Sequence, residues 1–170
     1  MIKTILACSV LCLASQMLLA QQSILLEPIK ITEQYSREIK QSINDFKIVR
    51  LDFNVLRNIA SNNNGYLDFH LRVGDSYDWK ISLEENNIQS PNYRMEENNK
   101  QIDSQIRTVT TYKGLLNGNS YNHVRLAISE TMFEGYFLEE SEMIFIRPLN
   151  KIIPNYLPSD HFIIFNSRDI

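Results

Sequence analysis

Between Tyr66 and Val73 the chain alternates strictly, with Leu67, Phe69, Leu71 and Val73 on one side and Tyr66, Asp68, His70 and Arg72 on the other. A period of two predicts a strand with one buried face. Gly74, Asp75 and Ser76 supply turn residues, and Tyr77, Trp79, Ile81 and Leu83 form the next inward set, so the two runs are expected to pair as a hairpin. Strand character resumes from Gln105 to Lys113 and leads into the stretch Thr110–Leu149. There Val124 to Ile128, Phe133 to Phe137 and Ile144 to Leu149 alternate apolar with polar positions, and the breaks between them carry glycine, asparagine, serine or acidic residues. Consecutive antiparallel strands with one buried face read this way. Gly114 and Gly135 fall where a side chain would obstruct the strand, which predicts a bulge or a close backbone approach. Pro148 lacks a ladder donor and belongs at a strand end or edge.

The period changes toward the N-terminus. Ile31, Tyr35, Ile39, Ile43 and Phe46 recur every three or four residues, and Glu33 with Arg37 makes an i,i+4 pair, so a short amphipathic helix is expected between Glu27 and Asp45, with an extended leader as the alternative. Phe46 to Leu51 reads as a strand. Asp52 then caps a short helix with Val55, Leu56 and Ile59 on one side, stopped by Ser61 to Gly65. Glu84 to Ile102 is polar and asparagine-rich, a long exposed loop, and Pro154 and Pro158 bracket a linker before a last strand, His161 to Phe165. The expected fold is mainly β: an antiparallel, β-sandwich-like domain of two packed sheets, with one or two short helices near the N-terminus. Its inward set would include Leu67, Phe69, Leu71, Trp79, Ile81, Val124, Leu126 and Ile128.

Composition adds constraints. A chain of 170 residues, 44% hydrophobic, can bury one sizeable core, and a net charge of −3 with no basic cluster argues against a nucleic-acid partner. Lys3 followed by the apolar run Ile5 to Leu19 reads as a secretory signal, with cleavage expected after Ala20. That divides the chain into a signal peptide (1–20), a leader or short helix (21–45) and a β domain (46–170), and predicts a secreted or periplasmic product that is not held in a membrane after cleavage. Cys8 and Cys12 both lie in the signal, so the mature chain has no thiol for a disulfide, a nucleophile or a metal.

Candidate chemistry is sparse. His70, His123 and His161 are far apart in sequence, and no His-Glu-x-x-His occurs, so neither a metal nor any other cofactor is expected. The carboxylate pairs Glu84–Glu85, Glu96–Glu97 and Glu139–Glu140 are adjacent residues that point to opposite sides of a strand, and they read as solvated turns. Asp75 and Asp78 lack the ligand series of a calcium loop. The aromatics Tyr77, Trp79, Phe133, Tyr136, Phe137 and Phe145 fall at strand spacing and read as core. The reading is of a non-enzymatic chain.

One ordered set of residues resembles a known family. Tyr112 and Gly114, then Gly118, the strand Val124-x-Leu126-x-Ile128, Phe133 and Gly135, the run Ile146-x-Pro148-Leu149 and finally His161 follow the pattern of the propeptide domain of reprolysin-type (M12B) zinc metalloproteases. The resemblance implies structural roles for these residues. It also implies a non-catalytic domain that assists the folding of a protease and silences it by covering the cleft. In that family the inhibition often uses a cysteine thiolate on the zinc. The mature chain has no cysteine, and it ends at Ile170, about where the family's last propeptide strand ends. Inhibition of a reprolysin-type catalytic domain would therefore be steric and in trans. A truncated protease precursor is a second reading. A secreted β-sandwich that binds a protein or ligand unconnected with proteolysis is a third.

Overall fold

The computed structural model describes residues 22–61, 65–87, 95–97, 100–102 and 109–170. Its strands are β1 (Gln22–Pro28), β2 (Lys47–Leu51), β3 (Tyr66–Val73), β4 (Tyr77–Glu85), β5 (Met95–Glu97), β6 (Lys100–Ile102), β7 (Thr110–Leu116), β8 (Asn119–Ile128), β9 (Phe133–Glu139), β10 (Glu142–Pro148) and β11 (His161–Asn166). The helices are α1 (Glu33–Ile39) and α2 (Phe53–Ser61), with single 3-10 turns at Leu149–Lys151 and Ser167–Asp169. The segment 1–20, read above as a signal peptide, lies outside the described residues, as does most of the stretch between β4 and β7.

Nine strands form a closed barrel in the order β1-β2-β11-β10-β9-β8-β7-β4-β3, not the expected pair of packed sheets. Every neighbouring pair is antiparallel except β1 and β3, whose parallel register from Gln22↔Phe69 to Leu26↔Val73 completes the ring. β1 decides between the two architectures. It occupies the segment read as leader or helix, and it pairs with β2 on one side and β3 on the other, so no sheet edge is left unpaired in the ring. The helix expected between Glu27 and Asp45 is confined to α1, where Thr32 caps the Tyr35 amide at 3.5 Å. The stretch expected as a loop from Glu84 to Ile102 holds the end of β4 and a small antiparallel ribbon, β5–β6.

Closure also depends on the two strand glycines. Gly114 is in phase with the buried Tyr112 and Leu116, and Gly135 with the buried Phe133 and Phe137, so both face the interior. A methyl group on Gly114 would lie 1.9 Å from the Ser82 carbonyl oxygen, and one on Gly135 would lie 1.9 Å from the Arg125 carbonyl oxygen. Only a residue without Cβ allows the neighbouring backbones to approach so closely, and this lets the sheet bend sharply enough to close.

All eight residues expected to point inward are buried, and the interior is filled by side chains. At one end Leu56 and Ile59 of α2 join the same cluster, so the helix plugs the barrel. A second cluster lies outside the wall, where α1 and the 149–156 segment cover Ile48 of β2 together with Ile163 and Phe165 of β11. β11 is therefore buried on both faces, which explains the unbroken apolar run Phe162–Phe165, whereas β2 is covered on its outer face only at Ile48 and leaves Arg50 exposed.

Candidate binding site at the open mouth of the barrel

The end opposite α2 is open. A cavity of about 440 Å³ lies between the start of β2, the start of β4, the β9–β10 turn and the end of β11, and five carboxylates (Asp45, Glu139, Glu140, Glu142 and Asp169) line it against two cations, Lys47 and Arg168. Its wall continues an aromatic stack. Tyr77 packs on Trp79 with ring centroids 4.4 Å apart, and Trp79 packs on Phe137 at 4.6 Å. Trp79 is buried, and its indole N–H donates to Glu139 Oε2 at 3.0 Å. Asn117 Nδ2 donates to Glu139 Oε1 at 3.4 Å, so both oxygens of this carboxylate are held in place. Glu142 accepts from Asn166 Nδ2 at 2.6 Å and pairs with Arg168.

The Lys47 ammonium lies 4.8 Å from the centroid of the Tyr77 ring. The mouth thus already holds an ammonium on an aromatic face within an acidic rim. Burial raises the Tyr77 pKa, and the Asp45 and Glu139 carboxylates raise it further, against a lowering by Arg168. Its hydroxyl accordingly stays protonated at neutral pH and can donate a hydrogen bond into the cavity.

The β9–β10 turn that carries the rim is strained. Its central residues Glu140 and Ser141 take φ values of 50° and 74°, left-handed values that side chains disfavour, whereas the β7–β8 turn places Asn117 and Gly118 there at 55° and 67°. Asn122, the one buried polar residue described, accepts from the Glu140 amide at 3.3 Å and anchors the turn from below. Asn122 is supplied by a break in register, since Leu115 pairs with His123 while Leu116 pairs with Asn119. Strain concentrated at a cavity rim is a recognised mark of functional sites.

The residues singled out from sequence lie elsewhere. Tyr112, Val124, Leu126, Ile128, Phe133 and Ile146 fill the barrel interior, and Pro148 and Leu149 are buried where β10 ends. Gly114 and Gly135 make the close approaches, and Gly118 completes a turn. His161 stands on the outer side, where its Nδ1 is 2.7 Å from the Tyr156 hydroxyl and its Nε2 is 3.9 Å from Asp160 Oδ1. His70 meets Asp78 at 3.3 Å, and His123 is exposed, so the three histidines do not converge. Among the described residues no group of three or more His, Cys, Asp or Glu is placed to hold a metal ion.

Of the carboxylates read as solvated turns, Glu139 and Glu140 belong to the cavity. Sequence reasoning missed Asp45, Lys47, Tyr77 and Glu142 as partners because they come from three separate strands and a loop. The only signal available was a pair of acidic residues directly after an aromatic strand. No known protein family matches this sequence, and a search of curated proteins finds no match either.

Proposed function

We propose that this chain is a secreted, non-catalytic binding module that takes a basic group of a partner, a lysine ammonium or an arginine guanidinium, at the open mouth of its barrel. The observation that carries the reading is the Lys47 ammonium on the Tyr77 ring inside a rim of five carboxylates. A cation from a partner can displace or join Lys47 there. The filled interior restricts the ligand to the rim, so the recognised element is a protruding side chain and not a molecule enclosed within the barrel.

Trp79 is the single tryptophan of the chain and reports on Glu139 through its indole hydrogen bond. Titration with a blocked tetralysine peptide should change its fluorescence saturably, with a Kd of about 0.1–1 mM for a few cation–π and rim-charge contacts. The affinity should fall as salt is raised, because the rim charges are partly exposed. Tetraglutamate should give no response, and Glu139→Gln or Tyr77→Leu should weaken tetralysine binding. A flat titration in the wild type would refute the proposal.

A second reading is steric inhibition in trans of a reprolysin-type catalytic domain. It is supported by the residues of that resemblance, which run through one continuous wall of the barrel from β7 to β11. A titration of such a catalytic domain with the mature chain tests it. Absence of both binding and inhibition at micromolar concentration would leave the basic-group reading alone.

A further inference from the structure

A second surface, on the outer wall, is built around two adjacent cations. Lys113 of β7 and Arg125 of β8 are directly opposed in the ladder, and both alternate with inward residues, so they stand side by side on the outside. Like charges in that position oppose each other. Lys113 is paired with Glu84 at 3.0 Å, whereas Arg125 has no ion-pair partner among the described residues. These two residues are shared by two neighbouring hollows of about 590 and 580 Å³. One hollow is lined by Gly114 and the other by Gly135, the positions where the wall bends. Apolar shoulders flank the pair: Tyr66 and Leu115 in the first hollow, exposed by 68% and 36%, and Tyr136 in the second.

The geometry points to a docking trench for an acidic, extended segment of a partner protein, with Arg125 as its anchor. From β3 to β9 the trench crosses four strand spacings, about 19 Å, which is the reach of about six extended residues. Charge complementarity selects the occupant. Asp68, Glu84 and Glu134 border the hollows, so a uniformly anionic chain would be repelled at both ends. A segment with acidic residues set among aromatic or aliphatic ones meets Arg125 and Lys113 with its carboxylates and the shoulders with its apolar side chains. This surface is distinct from the acidic mouth and selects the opposite charge.

The test is an amide-resolved NMR titration of the mature chain with a blocked hexapeptide of alternating glutamate and tyrosine. Saturable shifts are expected at Lys113, His123, Arg125 and Tyr136, with at least tenfold weaker binding of the glutamine–tyrosine analogue. Arg125→Glu should abolish binding while leaving Tm unchanged or raised, because the new carboxylate faces Lys113. Arg125→Gln should weaken binding about tenfold at unchanged Tm, a loss of about 1.4 kcal/mol. The proposal is overturned if no shift saturates by about 1 mM peptide, or if Tm falls in both variants, which would make Arg125 a structural residue. It is also overturned if a sulfated oligosaccharide shifts the same amides more tightly than the peptide. The same holds if those shifts grow with protein concentration alone, which would make a second copy the occupant.

Discussion

Copying the β7–β8 turn into the β9–β10 hairpin, by Glu140→Asn with Ser141→Gly, tests whether the rim of the mouth is held under strain. Both hairpins use a two-residue turn with positive φ at each position, and only the first has residues suited to it. A left-handed conformation costs an ordinary L residue roughly 1–2 kcal/mol, and the extra freedom of glycine in the unfolded chain returns about 0.5–1 kcal/mol of the gain at position 141. The net expectation is about 1–2 kcal/mol for the double variant and about 0.5–1 kcal/mol for Ser141→Gly alone. For a domain of this size 1 kcal/mol moves Tm by about 2–4 °C, so the double variant should melt about 2–8 °C higher. Thermal circular dichroism and urea unfolding followed by Trp79 fluorescence would read the change. Ser141→Gly leaves every rim charge in place, so its effect isolates the backbone. An unchanged or lowered Tm in Ser141→Gly, with the fold intact, would refute the strain and remove one support for a functional mouth.

Four further outcomes are expected. Gly114→Ala and Gly135→Ala should each cost more than about 3 kcal/mol or prevent folding, since the added carbon meets backbone and not a movable side chain; Gly118→Ala meets nothing within 4 Å and should cost only its left-handed φ, about 1 kcal/mol, in urea unfolding. Burial holds the His161 pKa below its ordinary value, against the raising effect of Asp160, so its contribution to stability is complete above about pH 6.5 and is lost as pH falls through the lowered folded value. Urea midpoints at pH 7.5 and pH 5.0 should therefore differ more in the wild type than in His161→Gln, and parallel losses would contradict this. Leu56→Ala should remove the plug at the closed end and cost about 2–5 kcal/mol by denaturant unfolding, as a buried leucine does when its cavity is not refilled. After dialysis, metal analysis of the chain without residues 1–20 should find no stoichiometric zinc, and one retained zinc per chain would overturn the reading of His70, His123 and His161.

Strand existence and facing were legible in the residues, because a period of two leaves a strand one way to bury Leu67, Phe69, Leu71 and Val73 or Val124, Leu126 and Ile128. The obstruction expected at Gly114 and Gly135 was legible too, since glycine inside an alternating run has few other reasons to be there. What alternation does not contain is the pairing of the outermost strands. A sandwich and a closed barrel both ask each strand for one buried face, and the difference lies in whether β1 bridges β2 and β3. Its own pattern was masked by Leu25, an apolar residue 54% exposed between the buried Ile24 and Leu26. The mouth was illegible for a related reason. Asp45, Lys47, Tyr77 and Glu142 are ordinary residues at or next to strand ends, and they become a site only when closure of the ring brings the ends of β2, β4, β9, β10 and β11 around one opening. Local periodicity fixes which way each side chain points, whereas ring closure, a long-range pairing, fixes which side chains meet.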